Sequence, residues 1–218
     1  MDELSLLQRI AVWALPVIFA ITVHEVAHGW VARKLGDPTA MMLGRLTLNP
    51  LKHIDPIGTL LVPGLLLLVS PFVFGWAKPV PVTWENLKHP KRDMALVAAA
   101  GPLANLLMAL LWALVMKLGL ALEAGALGGA TKFLVYVGFA GVSINLVLMV
   151  LNLLPIPPLD GGRVLSGVLP GPLAWRLNRV EAYGFIILLA LLFTGLLGRI
   201  LGPMVRALQA VLFSVIGL

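Results

Sequence analysis

The sequence predicts an all-α polytopic membrane protein with about five to six transmembrane helices. Of its 218 residues, 60% are hydrophobic and only 12% are charged, whereas about a quarter of a soluble domain is charged. The mean hydropathy is +0.98, and several apolar stretches reach the ~20 residues that cross a bilayer as a helix. A water-soluble core of this size could not bury so much apolar surface, so the lipid bilayer is the expected environment.

The apolar stretches give the expected helices in order. The first covers residues 4–33, the second 94–120 and the third 133–154, while 183–197 and 200–218 form one or two more. The first ten residues, MDELSLLQRI, carry acidic groups where a signal peptide is basic. We therefore expect the first helix to be retained, within a single membrane domain covering 1–218.

The region between the first two helices is expected to be partly non-helical. Residues 41–48 (MMLGRLTL) have strand-like character, and prolines keep 75–83 extended. A small membrane-associated β-strand or re-entrant region is therefore predicted at about 41–56 and 72–83. A hairpin that returns to the same side suits the two basic flanking loops better than a full crossing, which stays open as the alternative. Non-helical backbone at membrane depth must line a cavity or be buried in protein.

The charge distribution predicts the orientation in the membrane. The formal net charge is +6, and basic residues gather after the first helix, at Arg33, Lys34, Arg45 and Lys52. The positive-inside rule places this loop in the cytoplasm. No basic patch is interleaved with aromatic residues, so the positive charge indicates loop topology and contact with anionic lipid, and no nucleic-acid partner is expected.

The chemistry is concentrated in five residues, HEVAH at 24–28, inside the first apolar helix. His24 and His28 lie one turn apart on one helix face, the spacing at which two imidazoles bind one metal ion. Glu25 lies beside them and can handle the protons of a metal-activated water. On a soluble helix the pattern can be a solvated face. Inside a membrane, however, ionisable groups are costly and need a partner such as a metal.

Two histidines do not complete a catalytic zinc site, which usually has three protein ligands. Cysteine is absent, so the third ligand must be a histidine or a carboxylate. Asp160 is the best candidate, because it lies at the inner end of the third helix, the depth expected for HEVAH. The alternative is a simple turn carboxylate before Gly161-Gly162; combined with HEVAH, the ligand role is favoured.

These motifs together resemble the site-2 protease family of intramembrane zinc metalloproteases. The likeness rests on HEVAH and on NLLPIPPLDGGRV at 152–164, and it extends to LNPLKHIDPIGT at 48–59, FGWAKPVPV at 74–82 and AGPLAN at 100–105. It covers roughly residues 10–164. Larger members carry PDZ or CBS domains, and this chain shows neither, so it resembles the compact bacterial or archaeal type.

The resemblance implies a zinc endopeptidase with one Zn²⁺ per chain, bound by His24, His28 and Asp160. It implies that Glu25 is the catalytic carboxylate and that Asn152 steadies the oxyanion or the substrate. The catalytic core would then cover about residues 5–165, with C-terminal helices at about 180–218. The expected substrates are transmembrane segments of other proteins, cleaved in the cell membrane at a site that faces the cytoplasm.

Two further residues are candidates for an outer shell around the metal. Asn105 lies early in the second helix, although a polar residue there more often serves helix packing. His53 lies in a polar loop, where capping or loop hydrogen bonding is the favoured role over metal contact.

Two other functions are compatible with a buried histidine pair. A transporter could bind a metal in transit, since broken helices near the membrane centre suit transporters too. No inverted repeat is visible, however, and hydrolysis explains Glu25 and the Asp160 motif better. An inactive scaffold that binds membrane helices is the second alternative. It is disfavoured because every expected catalytic residue type is present.

Overall fold

The computed structural model describes residues 4–62, 65, 75–123 and 128–218, and within them every regular element is helical. The helices are α1 Leu6–Lys34, α2 Thr39–Met42, α3 Pro90–Glu123, α4 Gly128–Asn152, α5 Asp160–Val168, α6 Gly171–Arg179, α7 Glu181–Phe193 and α8 Leu196–Ile216. Short helical turns at Pro50–Lys52, Pro56–Leu61 and Trp84–Asn86 lie between α2 and α3.

Four of the described helices are long and apolar enough to cross a membrane. They lie in Leu6–Lys34, Pro90–Leu122, Ala130–Asn152 and Leu196–Ile216. The first three correspond to the helices expected at 4–33, 94–120 and 133–154. The expected total of five to six is not reached in the part of the chain that the structure describes.

The expected helix at 183–197 is shorter than a span. Helix α7 has 13 residues and is therefore ~20 Å long, against a hydrocarbon core of ~30 Å. The Thr194 hydroxyl donates to the Ala190 carbonyl, and Gly195 adopts φ +71°. Because glycine enters the left-handed region without steric cost, the chain turns there. Helix α8 consequently begins at Leu196, earlier than the expected residue 200.

The predicted strand at 41–48 is wrong. Helix α2 includes Met41 and Met42, and Gly44 then turns the chain with φ +64°. The rest of 41–56 consists of turns and the short helical turn Pro50–Lys52.

Residues 75–83 are extended, as expected, but they form no strand ladder. Pro79 and Pro81 have no N–H to donate. The remaining donors are dispersed: Trp76 N–H bonds to the Gly58 carbonyl at 3.0 Å and Lys78 N–H to the His53 carbonyl at 2.9 Å. Residues 72–74 of this predicted region, and most of the run at 57–74, lie outside the described residues.

The core lies between α3 and α4, with α8 packed against it. Its buried members come from these three helices: Ala109, Ala113, Val142, Leu146, Met149, Val150 and Leu212. Small residues let the helices approach closely. A Cβ added at Gly138 would lie 2.6 Å from the Met116 nitrogen, and one at Gly141 would lie 2.1 Å from the Trp112 ring. Helix α3 also packs against α1 and α5, and so adjoins both halves of the predicted site.

Candidate metal centre

Three predicted ligands converge where α1 meets the start of α5. The Nε2 atoms of His24 and His28 lie 3.0 Å apart. Asp160 Oδ2 lies 3.2 Å from the first and 3.3 Å from the second. The side chains are almost buried, with exposures of 7%, 9% and 9%. Donor atoms from all three residues lie within 4.8 Å of one another, the arrangement of a small metal site.

Hydrogen bonds from α3 fix the histidine tautomers. His24 Nδ1 lies 2.7 Å from Asn105 Oδ1, and His28 Nδ1 lies 2.7 Å from the Val97 carbonyl oxygen. Both partners are acceptors, so each Nδ1 carries the proton and donates. Each Nε2 is then unprotonated and presents its lone pair to the centre, as metal ligation requires.

The donor set fits a divalent cation. Two imidazole lone pairs and a carboxylate oxygen face one another at 3.0–3.3 Å. Asp160 Oδ2 is buried and has no hydrogen-bond partner among the residues that the structure describes. A buried charge without a partner is destabilising. A cation between these atoms would neutralise the carboxylate and bind the lone pairs of both imidazoles. Two imidazoles and one carboxylate are ligands that suit zinc.

A glycine of α3 makes the space for the two rings. A Cβ on Gly101 would lie 2.4 Å from His28 Nε2 and 2.5 Å from His24 Cε1. Any other side chain at this position would therefore displace the imidazoles. Sequence reasoning missed this role. The available signal was a Gly-Pro pair, Gly101-Pro102, inside an apolar helix.

The Gly161-Gly162 pair aims Asp160 by allowing a close approach. Both glycines lie inside α5, directly after Asp160, and neither has a positive φ. A Cβ on Gly161 would lie 2.3 Å from the Leu153 carbonyl oxygen, and one on Gly162 would lie 2.4 Å from the Pro157 nitrogen. The pair therefore lets α5 fold back tightly on the segment before it. Asp160 is the first residue of α5, where the helix dipole favours a negative charge.

Glu25 is held by the extended segment. It follows His24 on α1, and its Oε2 accepts the Val80 N–H at 2.7 Å. This bond fixes one carboxylate oxygen and leaves Oε1 for another partner. Helix α1 thus supplies two candidate ligands and a restrained carboxylate within five residues.

Comparison with known proteins identifies the family of this chain. The family model described as Peptidase family M50 matches residues 121–195. YwhC of Bacillus subtilis, named "Putative zinc metalloprotease", is 40% identical over 195 residues, which is 88% of this chain and 84% of YwhC. The chain belongs to peptidase family M50.

Other relatives of this M50 peptidase carry the same kind of name. Rip2 of Mycolicibacterium smegmatis is 32% identical over 202 residues, covering 91% of this chain and 74% of Rip2. MJ0611 of Methanocaldococcus jannaschii is 29% identical over 167 residues, covering 75% and 72%. No solved structure matches the chain. The resemblance to site-2 proteases is thereby confirmed, and the chain is a metalloprotease of a zinc-using family with several membrane-spanning helices.

Asn105 links His24 of the M50 peptidase to the helix core. Its amide donates to the Ala20 carbonyl at 3.2 Å and to Asn145 Oδ1 at 2.9 Å. The Asn145 amide in turn donates to the Gly141 carbonyl at 2.8 Å. These bonds orient the Asn105 amide so that its oxygen faces His24.

Removing this orienting group tests its importance. We expect Asn105→Ala to weaken zinc affinity by about 10- to 100-fold, the usual loss for an outer-shell partner of a ligating histidine. Asn105→Asp, which keeps an acceptor for His24, should recover part of that loss. Zinc titration against a competing chelator measures both. Unchanged zinc affinity in Asn105→Ala would show that the hydrogen bond to His24 Nδ1 does not contribute to metal binding.

Two residues that sequence reasoning missed hold the extended segment in place. Arg45 donates through Nη2 to the Lys78 carbonyl at 2.8 Å and to the Pro79 carbonyl at 3.3 Å. The fully buried Asp37 accepts the Thr83 N–H at 2.7 Å. The bonds made by these two residues lie on either side of Val80, so they help to present its N–H to Glu25.

Asp37 is suited to this role because its charge is well compensated. Burial raises the pKa of its carboxyl, but hydrogen bonds from Asn86, Thr39 and the Thr83 N–H outweigh that effect and lower the pKa below its usual value. The side chain is therefore ionised at neutral pH and binds these donors strongly.

Two predicted site residues make their hydrogen bonds away from the three candidate ligands. The Asn152 amide donates to the Leu148 carbonyl of its own helix at 3.0 Å. His53 is 2% exposed and bonds through Nε2 to the Thr47 carbonyl at 2.9 Å. Among the described residues, neither is hydrogen-bonded to His24, His28 or Asp160. The hydrogen bond from His53 to the Thr47 carbonyl is of the kind that the sequence favoured for this loop residue.

Proposed function

We propose that this M50 peptidase is an intramembrane zinc endopeptidase that cleaves the transmembrane segments of other membrane proteins. One observation carries the proposal. Two membrane-spanning helices, α1 and α3, bury His24 and His28 against Asp160, with Glu25 one residue from the first ligand. His24, His28 and Asp160 would hold one zinc ion.

The chain's own residues can handle the protons of hydrolysis. Bound zinc supplies a Lewis acid, which lowers the pKa of a ligated water to about 7. The Val80 N–H holds Glu25 Oε2, and Oε1 is the oxygen that can take a proton from the attacking water. It then gives that proton to the leaving amine, the two roles of a general base and acid.

Asn152 is the proposed oxyanion donor. It lies at the end of α4, in the segment that leads to Asp160. Its amide points to the Leu148 carbonyl here, so the role requires a rotation of the side chain when substrate binds. Catalytic hydrogen bonds often form only in the substrate complex.

The extended segment 75–83 is the proposed substrate template. A helical substrate hides its carbonyls in its own hydrogen bonds and must unwind before cleavage. An extended backbone can hold the unwound chain by strand addition. Residues 75–83 are extended, whereas 41–48 contain helix and turns. Four N–H groups of the segment already have acceptors within the protein, and its two prolines have none. The segment would therefore hold substrate mainly through its carbonyl oxygens and the Ala77 and Val82 N–H groups.

The proposed orientation places the centre on the cytoplasmic side of the cell membrane. Basic residues surround the end of α1 and the start of α3, among them Arg33, Lys34 and Lys91. A re-entrant path for the intervening chain is supported at its ends, where Trp76 N–H bonds to the Gly58 carbonyl at 3.0 Å. In this arrangement residues 5–165 form the catalytic unit, and the C-terminal helices pack against it through Leu212.

Metal analysis and cleavage in one preparation test the proposed function. The wild type in proteoliposomes should contain one zinc per chain and cut a single-span substrate within its apolar segment. Asp160→Ala should lose both properties, because a third ligand is removed. Glu85→Ala, which changes an exposed acid outside the centre, should keep both. Unchanged zinc in Asp160→Ala would remove Asp160 from the ligand set.

A further inference from the structure

The structure contains a cavity of about 240 Å³ between the start of α3 and helix α5. Its walls come from the end of the extended segment and the helical turn after it, the first turns of α3, helix α5, the end of α6 and the start of α7. The lining residues used below are Val82, Lys91, Met94, Arg163, Ser166 and Glu181. At this size it is smaller than the ~300–1,000 Å³ that enclose a drug-sized ligand.

Three wall residues place the cavity next to the centre. Each of these wall residues is two or three positions in sequence from a second residue on the same segment. That second residue either is a candidate ligand or forms a hydrogen bond with His28 or Glu25. The pairs are Val82 and Val80, Met94 and Val97, and Arg163 and Asp160. In the two helical pairs, the three-residue separation is about one turn, or ~5 Å along the helix axis. In the extended pair, the two-residue separation is ~7 Å. The cavity therefore adjoins the centre on the side of the basic loops.

The charged groups in the cavity are held loosely. Arg163 Nη2 lies 3.6 Å from Glu181 Oε1, and these side chains are 45% and 47% exposed. An ion pair this open to solvent contributes little. Lys91 donates through Nζ to the Leu169 carbonyl. This acceptor is uncharged, so the bond does not neutralise the lysine. Two cations and one anion thus give the cavity one excess positive charge.

We propose that this cavity is a substrate subsite that selects an acidic side chain close to the cleaved bond. The inference rests on the proposed function. A substrate laid along 75–83, with its cleaved bond at the metal centre, would pass Val82 and enter the cavity. Because an extended chain advances ~3.3 Å per residue, the side chain that reaches Lys91 and Arg163 lies two or three positions from the cleaved bond. A carboxylate there would compete with Glu181 for Arg163.

Disulfide trapping tests the location without needing cleavage. The chain has no cysteine, so Ser166→Cys creates a single thiol on the cavity wall. In a Glu25→Gln background, substrates with one cysteine at successive positions should cross-link at only one or two adjacent positions. These positions should lie two or three residues from the bond that the wild type cleaves. Ser214→Cys on the exposed face of α8 should give no such pattern. Cross-links spread evenly over all positions would overturn the proposal.

Charge selection is tested by the ratio of cleavage of matched substrates. With glutamate at the trapped position, kcat/KM in the wild type should exceed that with glutamine by about two- to fivefold, the range of a solvent-exposed ion pair. Arg163→Glu should reverse the ratio, and Glu181→Gln should increase it. Arg176→Glu, an exposed arginine outside the cavity lining, should leave the ratio unchanged.

The outcomes separate the two proposals. Equal cleavage of glutamate and glutamine substrates would refute charge selection while leaving the peptidase function standing. Absence of any cleavage would refute the proposed function, and the trapping pattern would still decide whether the cavity holds peptide. Failure of the Ser166→Cys thiol to cross-link at any substrate position, in phosphatidylcholine and in phosphatidylglycerol vesicles alike, would overturn the peptide subsite.

Discussion

Glu25→Gln is expected to reduce cleavage by at least about 10²- to 10⁴-fold, the contribution of a positioned general base, while zinc content stays at the wild-type level. Glutamine has the same shape, and its amide oxygen can accept the Val80 N–H that Glu25 binds at 2.7 Å. It cannot accept the proton of the attacking water. Cleavage of a reconstituted single-span substrate and metal analysis of the same sample measure the two quantities.

The same variant separates the peptidase from its rivals. A transporter would continue to move metal across the vesicle membrane after this substitution, and a scaffold would bind its partner with no cleavage in either form. Glu85→Gln, at an exposed position outside the centre, controls for the loss of one negative charge. Retained cleavage in Glu25→Gln would eliminate Glu25 as the proton-handling group.

Gly101→Ala is expected to abolish zinc binding, although it adds only one methyl group. The added carbon would lie 2.4 Å from His28 Nε2 and 2.5 Å from His24 Cε1, so at least one ring must leave its position. The loss in zinc affinity should exceed the ~100-fold upper range seen when an outer-shell partner is removed. Zinc titration of the purified variant measures it, and cleavage should fall in parallel.

Gly198→Ala is the matched control for this substitution. A Cβ there meets nothing within 4 Å, so zinc and cleavage should be unchanged, and helix α8 should gain up to about 1 kcal/mol of helix propensity. Full zinc affinity in Gly101→Ala would show that the imidazoles of His24 and His28 can move away from the added methyl group and still bind the metal.

The positions of the spanning helices and the convergence of the three candidate ligands were the predictable parts. Long apolar runs with few charges require a membrane helix, and α1, α3 and α4 lie where those runs indicated. The His24–His28 spacing is fixed by helix geometry, so it could be deduced directly. Asp160 could be named because few acidic residues occur near the apolar segments and because the resemblance included its motif.

The failed predictions share a physical cause. The residues at 41–48 alternate in a way that suits a strand, but strand pairing depends on a partner that the local sequence does not specify. The backbone donors of 75–83 instead bond to Glu25, to Asp37 and to scattered carbonyls. The roles of Gly101 and Arg45 likewise arise from tertiary contacts between segments far apart in the chain.

The hydrogen bonds behind the two histidines have a consequence for transplanting the site. The Val97 carbonyl, the Gly101 surface and the Asn105 amide follow one another at four-residue intervals along α3, forming a single stripe. Along this stripe, the Val97 carbonyl accepts a hydrogen bond from His28, Gly101 leaves room for both imidazoles, and the Asn105 amide oxygen accepts a hydrogen bond from His24. An HExxH sequence grafted onto an unrelated membrane helix would lack this complement. A design that transfers this site to another protein would therefore have to copy helix α1, helix α3 and the start of α5 that carries Asp160.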